Sequence, residues 1–184
     1  MSFQIIDLPK EQWQGTVIPM SYTADHFYDV SLTRKDDGFS LDVTKRPRET
    51  PFVFDPAHYD FPDKLYESWW EGAKARGVVE DGKLLAVIET CPEEWSNRLR
   101  VTELWVDPSL QRKGIGRALM DTAKEQAVRE GRRALILETQ SSNANAVDFY
   151  LSQGFTLIGF DACCYSNNDI ARREVRLEMG ILFP

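Results

Sequence analysis

The 184-residue sequence predicts an α+β fold, a three-layer α/β/α arrangement around a mixed central sheet. Three observations carry that expectation. Residues 75–80, 83–90 and 99–106 are short apolar strand patterns with brief connections, the first two meeting at Asp81-Gly82, so this part of the sheet is expected to be antiparallel. From Ile115 the apolar spacing becomes helical, through Leu119, Ala123 and Ala127. Beyond that helix, residues 134–139, 146–151 and 155–160 read as strand, helix and strand. No internal repeat or low-complexity linker interrupts the chain, and its length suits a single domain, residues 1–184, with a substantial core.

In chain order, residues 3–8 form a first strand stopped by Pro9. Residues 10–35 carry Trp13, Ile18, Met20, Tyr22, Phe27 and Tyr28 at irregular spacing, which suggests one or two short helices interrupted near Pro19. Residues 39–43 alternate as a strand. Pro47, Pro51, Pro56 and Pro62 then punctuate an aromatic stretch with Phe52, Phe54, Tyr59 and Phe61, expected as an irregular cover over the core or as a substrate-facing wall. Residues 63–74 suggest a short helix bearing Leu65, Trp69 and Trp70, and residues 93–98 a polar excursion. Glu130-Gly131 ends the long helix. Ser142 or Asn143 caps the next one and Gly154 closes it. Residues 161–170 read as a loop, residues 173–179 as a last strand, and Ile181-Leu182-Phe183-Pro184 as an apolar end that covers a core edge or meets a partner.

A net charge of -7 and an isoelectric point near 4.9 oppose a broad nucleic-acid surface and attraction to anionic lipid, and favour a cationic substrate. Cys91, Cys163 and Cys164 are an odd set, which fits a reducing compartment and a cytoplasmic protein. His26 and His58 have no metal-ligand spacing, so no metal site is expected. No apolar run is long enough to cross a bilayer, and the first residues show no basic stretch ahead of an apolar one.

The stretch that organises the chain is Glu103-Leu104-Trp105-Val106-Asp107-Pro108, followed by Gln111-Arg112-Lys113-Gly114-Ile115-Gly116-Arg117. It reads as a strand end, a glycine loop and a helix start. The first helical amides have no backbone partners and sit at the positive end of the helix dipole, which suits phosphate oxygens. The pattern is neither a dinucleotide fingerprint, since Leu119 stands where a third glycine belongs, nor a Walker loop.

These residues, together with Asn143-Ala144-Asn145-Ala146, Phe149-Tyr150 and Gly154-Phe155, resemble the Gcn5-related N-acetyltransferases, the GNAT family. The family's coenzyme loop, Gln/Arg-x-x-Gly-x-Gly/Ala, matches residues 111–116. The resemblance implies the GNAT fold with a splayed sheet, acetyl-coenzyme A as co-substrate, and direct transfer to an amine in a ternary complex. It places the pyrophosphate on Gln111, Arg112, Lys113, Gly114, Ile115, Gly116 and Arg117, and the thioester on Leu104, Trp105 and Val106. Asn143 would order the pantetheine or the helix start. Tyr150 would protonate the departing thiolate. Glu103 is the candidate base or cation-attracting group, with Glu89 and Glu138 as weaker carboxylates. Alternation puts Glu103, Trp105 and Asp107 on one face if the strand runs that far.

Leu137-Glu138-Thr139-Gln140, Ile158-Gly159-Phe160-Asp161 and Tyr165-Ser166-Asn167 are further similar to the streptothricin acetyltransferases, which acetylate an amine of a cationic antibiotic. Antibiotic resistance through a small-molecule amine is what that resemblance implies. A peptide or protein amine, or a non-enzymatic sensor of coenzyme A, stays open beside it, as does a monomer against a homodimer.

Overall fold

The computed structural model describes residues 3–56 and 62–184. In chain order the elements are β1 (Ile6–Leu8), α1 (Lys10–Trp13), β2 (Tyr22–Lys35), β3 (Gly38–Phe54), β4 (Lys74–Glu80), β5 (Lys83–Glu93), β6 (Arg98–Val106), α2 (Ile115–Arg129), β7 (Ala134–Gln140), α3 (Ala144–Ser152), β8 (Thr156–Asp161), α4 (Asp169–Arg172) and β9 (Arg176–Leu182). A seven-stranded sheet has the hydrogen-bonded order β1-β4-β5-β6-β7-β9-β8, and β2 and β3 form a second sheet. The chain divides into two compact units: Met1–Met20, Pro56–Leu137 and Ile181–Pro184 form the first, and Ser21–Asp55 and Glu138–Gly180 the second. Among the described residues no helix is long and apolar enough to cross a membrane.

In the first unit β1, β4, β5 and β6 pair antiparallel, and β6 pairs with β7 in parallel. Asp81 and Gly82 both take positive φ, 50° and 76°, the backbone that a two-residue hairpin turn demands. Gly77 is needed for space, because a Cβ there would lie 2.4 Å from the Ala86 carbonyl oxygen. The parallel ladder runs from Arg98 opposite Ala134 to Val101 opposite Leu137. β6 continues to Val106, so residues 102–106 lie beyond the ladder, the splay that the family resemblance implies.

The first unit's core gathers Leu8, Ile18, Leu65, Tyr66, Ala75, Val87 and Trp105. Tyr66 stitches it: its hydroxyl donates to the Leu8 carbonyl and accepts from the Ala75 amide. α2 buries Ile115, Leu119, Met120, Ala123, Gln126 and Ala127, the stripe its apolar period dictates. Gln126 is buried at no loss of hydrogen bonding, since it accepts from Thr90 Oγ1 at 3.0 Å and donates to Glu130 Oε1 at 3.1 Å. Residues 63–74 do not form the expected helix. Lys64 instead makes an isolated bridge with Val17, and Tyr66 turns the chain with a φ of 58°. The excursion before β6 is a single 3-10 turn, Glu94–Ser96.

The second unit departs furthest from expectation. Residues 22–54 are one long hairpin; the strand expected at residues 39–43 lies within β3, but β2 replaces the short helices and the rest of β3 the irregular cover. Burial along β2 falls on Ala24, Phe27 and Val30, a spacing of three, so the chain shows no period of two to read. The hairpin also carries a bulge. Pairing passes from His26 opposite Pro47 to Ala24 opposite Phe52, so residues 48–51 are set against Asp25 alone. Of the four prolines that argue against regular structure, Pro47 stands at the last paired position before this irregularity and Pro51 inside it. His58, Tyr59 and Phe61 lie outside the described residues. Within residues 161–170, read as a loop, Asp169 and Ile170 already belong to α4, and buried Asp169 accepts from the Tyr165 amide at 2.9 Å and from Ser166 Oγ at 2.6 Å.

Candidate active site

In the first unit, β6 ends at Val106 and the chain folds back on itself before α2. Asp107 leaves the strand and caps a 3-10 turn, Pro108–Leu110, accepting from the Ser109 amide at 2.9 Å and the Ser109 hydroxyl at 2.6 Å. Those hydrogen bonds hold its carboxyl below the ordinary range. It therefore does not continue the face of Glu103 and Trp105. Gln111 Nε2 donates to the Val106 carbonyl at 3.2 Å, and Lys113 Nζ donates to the Ser109 carbonyl at 2.8 Å. Both side chains close the loop, so what Gln111 and Lys113 can offer a ligand is backbone and nearby charge.

Arg112 and Gly114 take φ of 59° and 84°, and Gly114 occupies the N-cap of α2. Open space surrounds the position where a Cβ would stand, so glycine is required there by backbone conformation. A glycine N-cap supplies no side-chain oxygen, and the first turn holds no acidic residue. The amides of Ile115, Gly116 and Arg117 thus keep donor capacity at the positive end of a 15-residue helix. Arg112 and Arg117 are exposed, and neither guanidinium has a hydrogen-bond or ion-pair partner among the described residues. Bare helix-start amides flanked by exposed cations are an arrangement that suits an oxyanion.

On β6, Trp105 is core, whereas Glu103, Leu104 and Val106 are half-buried and stand opposite Glu89, Ile88 and Ala86 of β5. One partner strand can satisfy only alternate amides of an antiparallel neighbour. Residues 102–106 lie past the parallel ladder with β7. Glu89 is fully buried. Its Oε2 accepts from the Tyr66 amide at 2.7 Å and its Oε1 from Thr102 Oγ1 at 2.8 Å. Desolvation raises its pKa against the pull of those two donors. Both Glu89 oxygens are thereby engaged in holding the fold, directly across the strand pair from Glu103.

In the second unit, Asn143 caps α3 by accepting from the Ala146 amide at 3.1 Å, which selects Asn143 over Ser142 as the cap. Ser142 Oγ lies 3.0 Å from the Tyr22 hydroxyl instead. Tyr150 is half-buried on α3, its ring 5.5 Å from Phe149 and 5.9 Å from Phe155. The hairpin is tied to this helix: Tyr28 donates to Asp148 at 2.8 Å, and Asn145 Nδ2 to the Thr23 carbonyl at 2.9 Å. Burial and the neighbouring Asp148 push the Tyr28 phenol up to about 12. Cys163 and Cys164 are exposed free thiols, and buried Cys91 is pushed up to about 11, chiefly by desolvation, so it is no nucleophile at neutral pH. His26 is exposed and bonded to Asp25 at 2.8 Å. Arg48 and Arg173 carry no signal in the sequence beyond the run Arg46-Pro47-Arg48.

Residues 42–155 match the Acetyltransferase (GNAT) family. A streptothricin acetyltransferase of Streptomyces lavendulae is 31% identical over 153 residues, 79% of this chain and 76% of the relative. The [ribosomal protein bS18]-alanine N-acetyltransferase of Escherichia coli (strain K12) is 44% identical over 78 residues, 42% of this chain and 51% of the relative. A crystal structure of nourseothricin acetyltransferase shares the fold, with a TM-score of 0.74, 24% identity and full coverage of both chains. The glycine-capped α2, the splay after Val101 and these similarities agree: the chain belongs to the GNAT family and is an acetyl-coenzyme A-dependent N-acetyltransferase.

Proposed function

We propose that the acceptor is a primary amine on a small cationic molecule of the streptothricin class, acetylated by direct transfer in a ternary complex and conferring antibiotic resistance. The observation that carries this reading is the 31% identity to a streptothricin acetyltransferase across 79% of the chain. The net charge of -7 supports a cationic acceptor. In this reading the amides of residues 111–117 bind the coenzyme pyrophosphate, and β6 amides at Leu104, Trp105 and Val106 polarise the thioester carbonyl. The amine nitrogen attacks that carbon and the carbon–sulfur bond breaks. Glu103 accepts the amine proton, and the sulfur takes a proton from Tyr150, which solvent replenishes. Asn143 acts through its cap on α3. Three free cysteines support a cytoplasmic setting.

The local 44% identity to a ribosomal-protein alanine acetyltransferase favours a second reading, a peptide α-amine. Thiol release from acetyl-coenzyme A decides between them, measured with streptothricin, an aminoglycoside, spermidine and alanine-ended peptides. Turnover greatest with streptothricin is expected. Turnover of peptides alone would sink the antibiotic reading, and no release with any amine would remove the small-amine assignment. Tyr150→Phe should lower kcat about tenfold with KM for acetyl-coenzyme A unchanged, since a thiolate leaves with modest acid help.

A further inference from the structure

The bulge of the β2–β3 hairpin opens a cavity of about 380 Å³ lined by residues 46–50, Phe27 and Arg173. Arg48 is its unusual member. Its Nε and Nη2 are shielded from solvent and have no hydrogen-bond partner among the described residues. The Arg48 guanidinium carbon sits 4.9 Å from the Phe27 ring centroid and 5.0 Å from that of Phe52, while the Arg173 guanidinium lies 4.5 Å from the same Phe27 ring. Two cations therefore share one aromatic ring. Neither has an ion-pair partner among the described residues.

The nearby acids have ion-pair partners of their own, and Glu174 acts on Arg48 through its charge alone. Glu174, itself buried, pairs with Arg172 at 2.7 Å, and Asp29 holds Arg46 at 3.1 Å, which leaves Glu49 as the one carboxylate in the cavity lining. Burial and the charge of Arg173 both push the Arg48 guanidinium below its ordinary value. The π-faces of Phe27 and Phe52 offset part of the charge, but a ring face offers no lone pair in the guanidinium plane. A planar fork with two buried N–H groups open is matched by two oxygens of one oxyanion.

We infer that this cavity binds a small organic anion through a carboxylate or phosphate held by Arg48 and Arg173. The volume exceeds what a bare oxyanion fills, and the aromatic wall suits an organic body behind the charged group. Arg173 is fixed for the purpose at the end of α4, where its left-handed φ of 61° is locked by its amide donating to Ile170.

The test is binding to the full chain, independent of turnover. Calorimetry and NMR of arginine Nε resonances follow titration with inorganic phosphate, succinate, coenzyme A and 3′-dephospho-coenzyme A. Succinate or phosphate should move the Arg48 resonance, and Arg48→Met and Arg173→Asn should each weaken binding about tenfold or more. Asn tolerates the left-handed backbone of position 173, so that variant stays informative should Arg48→Met fail to fold. If coenzyme A displaces succinate and the dephospho form does not, the anion is the coenzyme's own phosphate. If neither displaces it, the anion is a separate molecule. No resonance shift at about 10 mM of either simple anion, or wild-type affinity in both variants, would overturn the site.

Discussion

The loop before α2 and the cavity of the hairpin bulge both present positive charge, but they do so by opposite means. The loop uses backbone: a glycine N-cap, bare amides and a helix dipole, with Arg112 and Arg117 in water around it. Such a site is inexpensive to leave empty, because solvent satisfies it. The cavity uses side chains, placing an Arg48 guanidinium against two aromatic rings with two of its nitrogens unpartnered. Emptiness there has a standing cost. A backbone site is therefore sensitive to conformation and a side-chain site to residue identity, and substitutions can separate the two.

The largest expected effect breaks the backbone pole. Gly114→Val puts a β-branched residue at a φ of 84°, a strain of about 2 kcal/mol or more that the loop relieves by moving. Steady-state kinetics should show KM for acetyl-coenzyme A raised about 30-fold, with anion binding in the cavity unchanged. Gly114→Asn, which tolerates that backbone better, should recover most of the loss. A Gly114→Val enzyme with unaltered KM would remove the loop from donor binding.

Glu89 provides the contrast of a buried charge whose bonds are met. Glu89→Leu strands the Tyr66 amide and the Thr102 hydroxyl, at about 1–3 kcal/mol in urea unfolding. Glu89→Gln keeps both bonds, since its oxygen can accept from the amide and its nitrogen donate to the hydroxyl. The sign of the pH effect follows from the direction of the shift. A carboxyl with a raised folded-state pKa holds its proton more tightly folded than unfolded, so stability declines as pH rises from the ordinary 4.5 through the raised value. Wild type should lose stability relative to Glu89→Gln across that window, and the two should converge below it. Parallel curves would refute a shifted Glu89.

Arg48→Met tests the unpartnered case at nearly constant volume. Removing an unmet buried cation trades the cation–π contacts against the relieved desolvation, so unfolding free energy should change by less than about 1 kcal/mol in anion-free buffer. Wild type alone should then gain thermal stability from added succinate. A large loss in buffer without anions would mean that the guanidinium is a structural pillar.

The same contrast explains what could be read from residues alone. The loop from Gln111 to Arg117, the Asp81-Gly82 turn and the Asn143 cap are local devices, each fixed by backbone chemistry within a few positions, and each appears where the sequence put it. The hairpin depends on pairing between residues up to 32 apart, Tyr22 with Phe54, and burial on Ala24, Phe27 and Val30 lacks the alternation that would announce it. Residues 63–74 failed for a related reason. Leu65 and Tyr66 are buried by the tertiary bonds of Tyr66 to Leu8 and Ala75, which no helical spacing encodes. Arg48 and Arg173 are 125 positions apart, so their shared ring was invisible before folding.

The smallest expected effect sharpens the backbone pole. Arg117 lies in the first turn of α2, exposed and without a partner, so its charge reaches a bound phosphate through solvent. Arg117→Ala should raise KM for acetyl-coenzyme A about threefold at low ionic strength, and added salt should erase most of that difference because exposed charges are screened within a Debye length. Salt should leave the Gly114→Val defect in place, since dihedral strain is not screened. If instead Arg117→Ala proves as damaging as Gly114→Val and resists salt, the guanidinium binds the phosphate directly, and the loop belongs with the cavity as a side-chain site.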